Sequence, residues 1–190
     1  MAAEIAQAAL RRGASVTVVA SHVEVDLPAG ADVVTAPTAL DVHREMLALA
    51  DESDVVIMAA AVADYRPSVV APSKLKKAIW GSAPRIELLQ NADVLSELGS
   101  RKHDYTLVGF AAETAESDAD FVSEARRKLE SKGCDILVAN RVGADRGFGD
   151  VATSVTLVRK GTDIIETSAG SKASVAASIL QAIIPVPTSP

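Results

Sequence analysis

Aromatic residues make up only 3% of the 190 residues, and tryptophan occurs once, at Trp80. The core must therefore be built from aliphatic side chains, which supply most of the 48% apolar content. Such a composition suits aliphatic strands beneath Ala-rich helices. Cysteine is nearly absent. A lone Cys134 excludes an intrachain disulfide and a cysteine-built metal cluster, which fits a reducing cytoplasm. No apolar run reaches the ~20 residues that a membrane-spanning helix needs. Excess positive charge is also missing. A net charge of −6 argues against general affinity for nucleic acid, though not against a local basic pocket. The opening Met1–Glu4 carries an acid and no basic region, unlike a secretory leader. Neither GxxxxGK[ST] nor GxGxxG occurs. His22, His43 and His103 are scattered, so a Ser-His-Asp or zinc mechanism has no support.

What is present is a regular alternation of strand-like and helix-like segments. Residues 2–12 form an Ala-rich helical pattern with Ile5, Ala9 and Leu10 on one side, stopped by Gly13. Ser15–Ala20 is β-branched and continuous, which predicts a buried parallel strand. Asp32–Thr35 predicts a second strand. Thr38 with Asp41 forms a capping box for a helix to about Ala50. Asp54–Ala59 predicts another buried strand. Residues 64–85 are polar, contain prolines and lack a period, so they read as a functional loop. A short helix opens at Asn91 or Ala92 and runs to Leu98. Tyr105–Phe110 predicts a strand. Ser117 caps a helix to Lys132 that Gly133 ends. Asp135–Ala139 predicts a strand. Ser154–Arg159 and Asp163–Thr167 flank Lys160-Gly161 as a hairpin. Ser171–Ile184 predicts a closing helix, and the proline-rich 185–190 a disordered tail. The pattern implies one domain over residues 1–184. Its fold is a three-layer α/β/α Rossmann-like one, with a mostly parallel sheet and a C-terminal hairpin.

Ligands in such sheets bind beyond the carboxyl ends of the strands. Polar and small residues gather at those ends. Ala59–Tyr65 (AAAVADY) ends a strand in small residues and then an acid. Asp64 could hold Mg²⁺ or a hydroxyl, or merely cap a turn. Lys74-Leu75-Lys76-Lys77 could neutralise a triphosphate or be a solvated patch. Asn91–Leu95 could present a helix N-terminus to a ligand or be a plain cap. In Val108–Thr114, Phe110 offers a flat face for a base, and core packing is the ordinary alternative. Glu113 is a second acid or an exposed cap. Lys128 and Lys132 share a helix face and could reach phosphate, or simply solubilise the helix, with Glu124 well placed to pair with Lys128. Asn140-Arg141 and Gly147–Asp150 read more simply as a connection. Together these point to an anion-binding site that works by positioning and electrostatics.

In order, AAVADYRP, the KLKK loop, NADVL, LVGFAAET and KLxxKGxDxxVAN resemble phosphopantothenate–cysteine ligase, over residues 2 to about 184. The resemblance implies a cytoplasmic enzyme that joins cysteine to 4′-phosphopantothenate through an acyl-cytidylate, using CTP and Mg²⁺. It implies that Asp64 contacts the nucleotide or its metal. Lys74 would lie on the triphosphate and stabilise the transition state. Ala92, Asp93, Val94 and Leu95 would hold the nucleotide, Phe110 would be its base-side partner, and Lys128 and Lys132 would be two further nucleotide contacts. Ala60 and Ala61 would lie near the acyl centre and a homodimer contact. A flavin-dependent decarboxylase would be the fused or associated partner. Two departures stand out. Ala92 replaces a frequent proline. The family also opens with a strand, a GGT loop, an asparagine and an SSGKxG segment before the first helix, whereas here that helix starts at residue 2. The expectation is a truncated piece, weak or inactive alone. The competing readings are a catalytically silent nucleotide-binding or assembly module and a Rossmann-type oxidoreductase.

Overall fold

The computed structural model describes residues 1–76, 83–115, 117–142, 153–162 and 165–183. Three layers form around a five-stranded sheet that carries most of the core. β3 (Val55–Met58), β6 (Thr106–Glu113) and β7 (Ile136–Arg141) run parallel in that order. β8 (Thr153–Arg159) and β9 (Ile165–Gly170) then add antiparallel, joined by a turn in which Gly161 adopts φ +75°. β7 is aliphatic and flanked on both sides, and Ile136, Leu137, Val138 and Ala139 are all within 1% of full burial. Each such large side chain stabilises the fold by about 1.5–3 kcal/mol.

Alternation of side chains across the sheet divides the core in two. On one face α1 (Ala2–Leu10) and α5 (Lys172–Ile183) cover Val108, Ile136, Val138, Val155 and Leu157. The buried side of α1 is Ile5, Ala6 and Ala8, so its face is rotated from the Ile5/Ala9/Leu10 expectation, although Ala9 still packs at the margin. On the other face lie α2 (Ala39–Ala50), α3 (Val94–Ser100) and α4 (Asp118–Lys132), over Val56, Met58, Leu107, Ala111 and Leu137. Local signals in the sequence mark several ends correctly. Thr38 and Asp41 form the capping box of α2, Ser117 caps α4 through the Asp120 N–H, and Gly133 closes α4 with φ +66°.

α3 and α4 meet through glycines. A Cβ on Gly99 would lie 2.1 Å from the Lys132 carbonyl oxygen, and one on Gly133 2.7 Å from that of Gly99. A Cβ on Gly109, in β6 beneath both helices, would fall 2.9 Å from Cys134 Sγ and from Leu95 Cδ2. Here the backbones approach so closely that no side chain fits between them.

Several expectations need correction. β1 spans Thr17–Ala20 rather than starting at Ser15, and only Ala20 is buried. β1 pairs in parallel with β2 (Asp32–Thr35), and these two form their own sheet. With a hydrogen-bonded neighbour on one side only, its side chains stay partly open to solvent. Residues 64–85 are not wholly a loop. β4 (Tyr65–Pro67) pairs antiparallel with β5 (Leu88–Gln90), forming the stem of an arm between β3 and α3. The ladder joins residues 21 to 25 apart, a pairing that local periodicity does not report. β6 continues three residues past Phe110, and β7 two past Ala139. Lys77, Trp80, Gly147–Asp150 and the tail 185–190 lie outside the described residues.

Candidate nucleotide site

The carboxyl end of β3 leads to the arm root, and that of β6 meets the lysine-bearing side of α4. β3 is followed by Ala60, Ala61 and Asp64, all exposed. Asp64 stands at the root of the arm, where its carbonyl accepts a 2.7 Å hydrogen bond from the Asn91 N–H. Lys74 is exposed within the arm. Asp93, not Asn91 or Ala92, caps α3, its carboxylate accepting from the Ser96 N–H at 3.0 Å. The correction has a physical cause: the Asn91 side chain is turned inward and bonded elsewhere. Val94 is buried and Leu95 packs into the core, so both can offer a ligand only backbone. Ala92 is exposed.

Two ion pairs organise the site. Lys128 and Lys132, one turn apart on α4, each meet an acid from a different element. Lys128 pairs with Glu113, the last residue of β6, and Lys132 with Asp93. Glu113, not Glu124, is thus the partner of Lys128; Glu124 is taken by Arg127 at 2.5 Å. The longer β6 explains this, because it carries Glu113 onto the face that α4 covers. The two pairs differ in burial. The Glu113 side chain is 11% exposed and the Asp93 side chain 49%. Burial pushes the Asp93 carboxyl up, but hydrogen bonds from Lys132 and Ser96 outweigh it and hold the group below the ordinary carboxylate range. Lys128 meets Glu113 as an ion pair without a hydrogen bond, and Glu113 Oε1 is a buried oxygen with no hydrogen-bond partner among the described residues. A third cation, Arg141, lies at the end of β7, 2.7 Å from Asp118 and 4.9 Å above the Phe121 ring.

The structure brings together Asp93, Lys128 and Lys132, and adds Glu113, which the sequence offered only as a second acid or a cap. It does not bring Phe110 to them. Phe110 sits on the opposite face of β6, packed against the cluster covered by α1 and α5. Lys74 stands apart on the arm. Among the described residues no group of three or more His, Cys, Asp or Glu side chains gathers to hold a metal. A magnesium ion that arrives with a triphosphate needs less, since it retains waters and takes one or two carboxylates. The exposed Asp64 fits that requirement. Cys134 is fully buried beneath Gly109, and burial pushes its thiol up to about 12, so it is chemically quiet.

Residues 1–186 match the family model for the DNA/pantothenate metabolism flavoprotein C-terminal domain. The chain belongs to that family. It is 42% identical over 189 residues to the Coenzyme A biosynthesis bifunctional protein CoaBC of Mycobacterium tuberculosis (strain ATCC 25618 / H37Rv), covering 95% of this chain and 44% of that protein. It is 40% identical over 181 residues to the CoaBC of Bacillus subtilis (strain 168), covering 94% of this chain and 43% of that one. The chain thus spans less than half the length of these relatives. Its fold matches a crystal structure of the C-terminal domain of CoaBC with a TM-score of 0.73 and 32% identity, covering 95% of this chain and 78% of that one. No helix among the described residues is long and apolar enough to cross a membrane.

Proposed function

We propose that this domain performs the CTP-dependent ligation of cysteine to 4′-phosphopantothenate in coenzyme A synthesis. The observation that carries this reading is the pair of lysines on α4, held at the carboxyl end of β6 and the start of α3, in a chain 42% identical to CoaBC. A carboxylate is a poor acyl donor until its oxygen becomes a good leaving group. In the proposed reaction the phosphopantothenate carboxylate attacks the α-phosphorus of CTP and pyrophosphate departs. The amine of cysteine then attacks the acyl carbon of the resulting acyl-cytidylate, losing a proton as CMP leaves with the acyl oxygen. Lys128 and Lys132 neutralise phosphate oxygens from α4, and Lys74 reaches them from the arm, stabilising the charge that builds on pyrophosphate. Asp64 would hold Mg²⁺, which supplies charge neutralisation across the phosphates.

The arm supports a homodimer. It exposes Tyr65 at 59%, Ile86 at 61%, Val69 at 79% and Val70 at 83%. Such a strip on one hairpin fits a second copy of itself. Ala60 and Ala61, at its root, would then lie near that contact. A flavin-dependent decarboxylase remains the proposed fused or associated partner.

Pyrophosphate release with CTP, phosphopantothenate and cysteine tests the reaction; turnover that requires all three supports it. A specific observation favours a second reading. β1 and β2 form a sheet apart from the five-stranded one, and among the described residues one edge of β1 and one of β3 have no hydrogen-bonded strand. A site in this state would bind nucleotide without completing the reaction. CTP binding without pyrophosphate release is its signature.

A further inference from the structure

Asn91 is 9% exposed, and Asn91 and Glu113 are the two polar or charged side chains buried among the described residues. The caps of the helices leave Asn91 without a role, since Asp93 caps α3. Yet both ends of its side-chain amide and its backbone N–H are engaged. Its Nδ2 donates to the Ala63 carbonyl at 2.7 Å. Its Oδ1 accepts from Arg66 Nη1 at 2.9 Å, and the same guanidinium nitrogen donates to the Gln90 carbonyl at 3.0 Å. Its backbone N–H donates to the Asp64 carbonyl at 2.7 Å. One residue therefore fastens the turn after β3, the first strand of the arm and the entry to α3. The chain leaves at Asp64 and returns at Asn91, so these bonds close the neck of the arm.

We infer that Asn91 is a positioning residue: its buried amide latches the Ala59–Asp64 turn and the arm to the start of α3, and through that arrangement sets nucleotide affinity. This rests on the proposed nucleotide site, in which Asp64 and Lys74 come from the latched segment while Asp93, Lys128 and Lys132 come from the helices. The apolar side chains of the arm point largely to solvent, so polar bonds at its neck decide where it stands. An amide suits the position because it donates to a carbonyl and accepts from a guanidinium at once. A carboxylate keeps the second contact but sets an oxygen against the Ala63 carbonyl.

The test compares wild type, Asn91→Asp and Asn91→Ala by hydrogen exchange and by calorimetric titration with Mg·CTP. Exchange should quicken at the Asn91 or Ser68 amides of the neck and stem, which bond Asp64 and Glu87. It should stay slow at the Asp135 amide, bonded to Leu107 in the core. Affinity for Mg·CTP should fall about tenfold in both variants, the scale of one lost buried hydrogen bond. Unchanged exchange at the stem would overturn the latch. Faster stem exchange with unchanged CTP affinity would overturn its positioning role. Loss of core protection in both variants would also overturn it, by making Asn91 a residue of the global fold. A wild-type chain that binds no CTP would instead overturn the proposed function, and the exchange contrast would still decide whether the latch exists.

Discussion

The seam between α3 and α4 and the arm between β4 and β5 are built on opposite terms. At the seam, Gly99 and Gly133 bring two backbones together so tightly that a methyl group has no room. On the arm, aliphatic side chains stand in solvent and one buried amide closes the neck. The seam fixes Lys128 and Lys132 in space. The arm carries Lys74 and Asp64. The difference teaches where stability and function separate: changes at the seam should unfold the domain, and changes on the arm should leave it folded but altered in binding and assembly.

The sharpest way to break this comparison is Gly99→Ala. The added carbon meets a backbone carbonyl at 2.1 Å, which no rotamer relieves, so α3 must move off α4. We expect a loss of about 3 kcal/mol in urea denaturation. Leu137→Ala, in the fully buried core of β7, should cost a comparable 2–5 kcal/mol. A matched change on the arm, Leu89→Ala, removes a side chain that is 47% exposed. It should shift stability by less than about 0.5 kcal/mol while weakening self-association in sedimentation. Equal destabilisation by both leucine variants would erase the distinction.

These contrasts were unevenly legible in the sequence. Thr38 with Asp41, Ser117, Gly133 and the Lys160-Gly161 turn signal their roles through neighbours within a few residues, and the structure uses them as such. β3, β6 and β7 were legible because each is an aliphatic run of strand length. The arm stem was not, since Tyr65 meets Gln90 across 25 positions, and short strands with exposed side chains show no clear alternation. The pairing of Lys132 with Asp93 spans 39 positions, and no local pattern reports it. Glu113 was misplaced for a simpler reason. The strand runs three residues past Phe110, and alternation sets Glu113 on the face that α4 covers.

Two smaller effects sharpen the same picture. Cys134 lies under the seam, its thiol pushed up by burial to about 12, while an unfolded thiol ionises near ~8.5. The stability it contributes is therefore present below the unfolded value and declines as pH rises above it. Alkylation at pH 8 should be slow in the folded chain and should quicken in Gly99→Ala; rapid labelling of the native chain would show the seam to be open. Asp93 works in the other direction. Its carboxyl is held low, so its contribution is present above the unfolded value and lost as pH falls through the folded one. Solvent screening at this exposed site limits it to less than about 1 kcal/mol. Asp93→Asn should lower stability by less than about 1 kcal/mol at neutral pH, where the contribution is present, and flatten the acid limb of the stability curve below about pH 4.

The central claim is that the two lysines fixed by the seam form a nucleotide phosphate site. Calorimetric titration with Mg·CTP tests it most directly, using wild type and the Lys128→Met/Lys132→Met double variant, with NAD as a control. We expect measurable CTP binding by wild type, none with NAD, and at least a tenfold loss in a double variant that keeps its fold. CTP binding of equal strength by both proteins would contradict it.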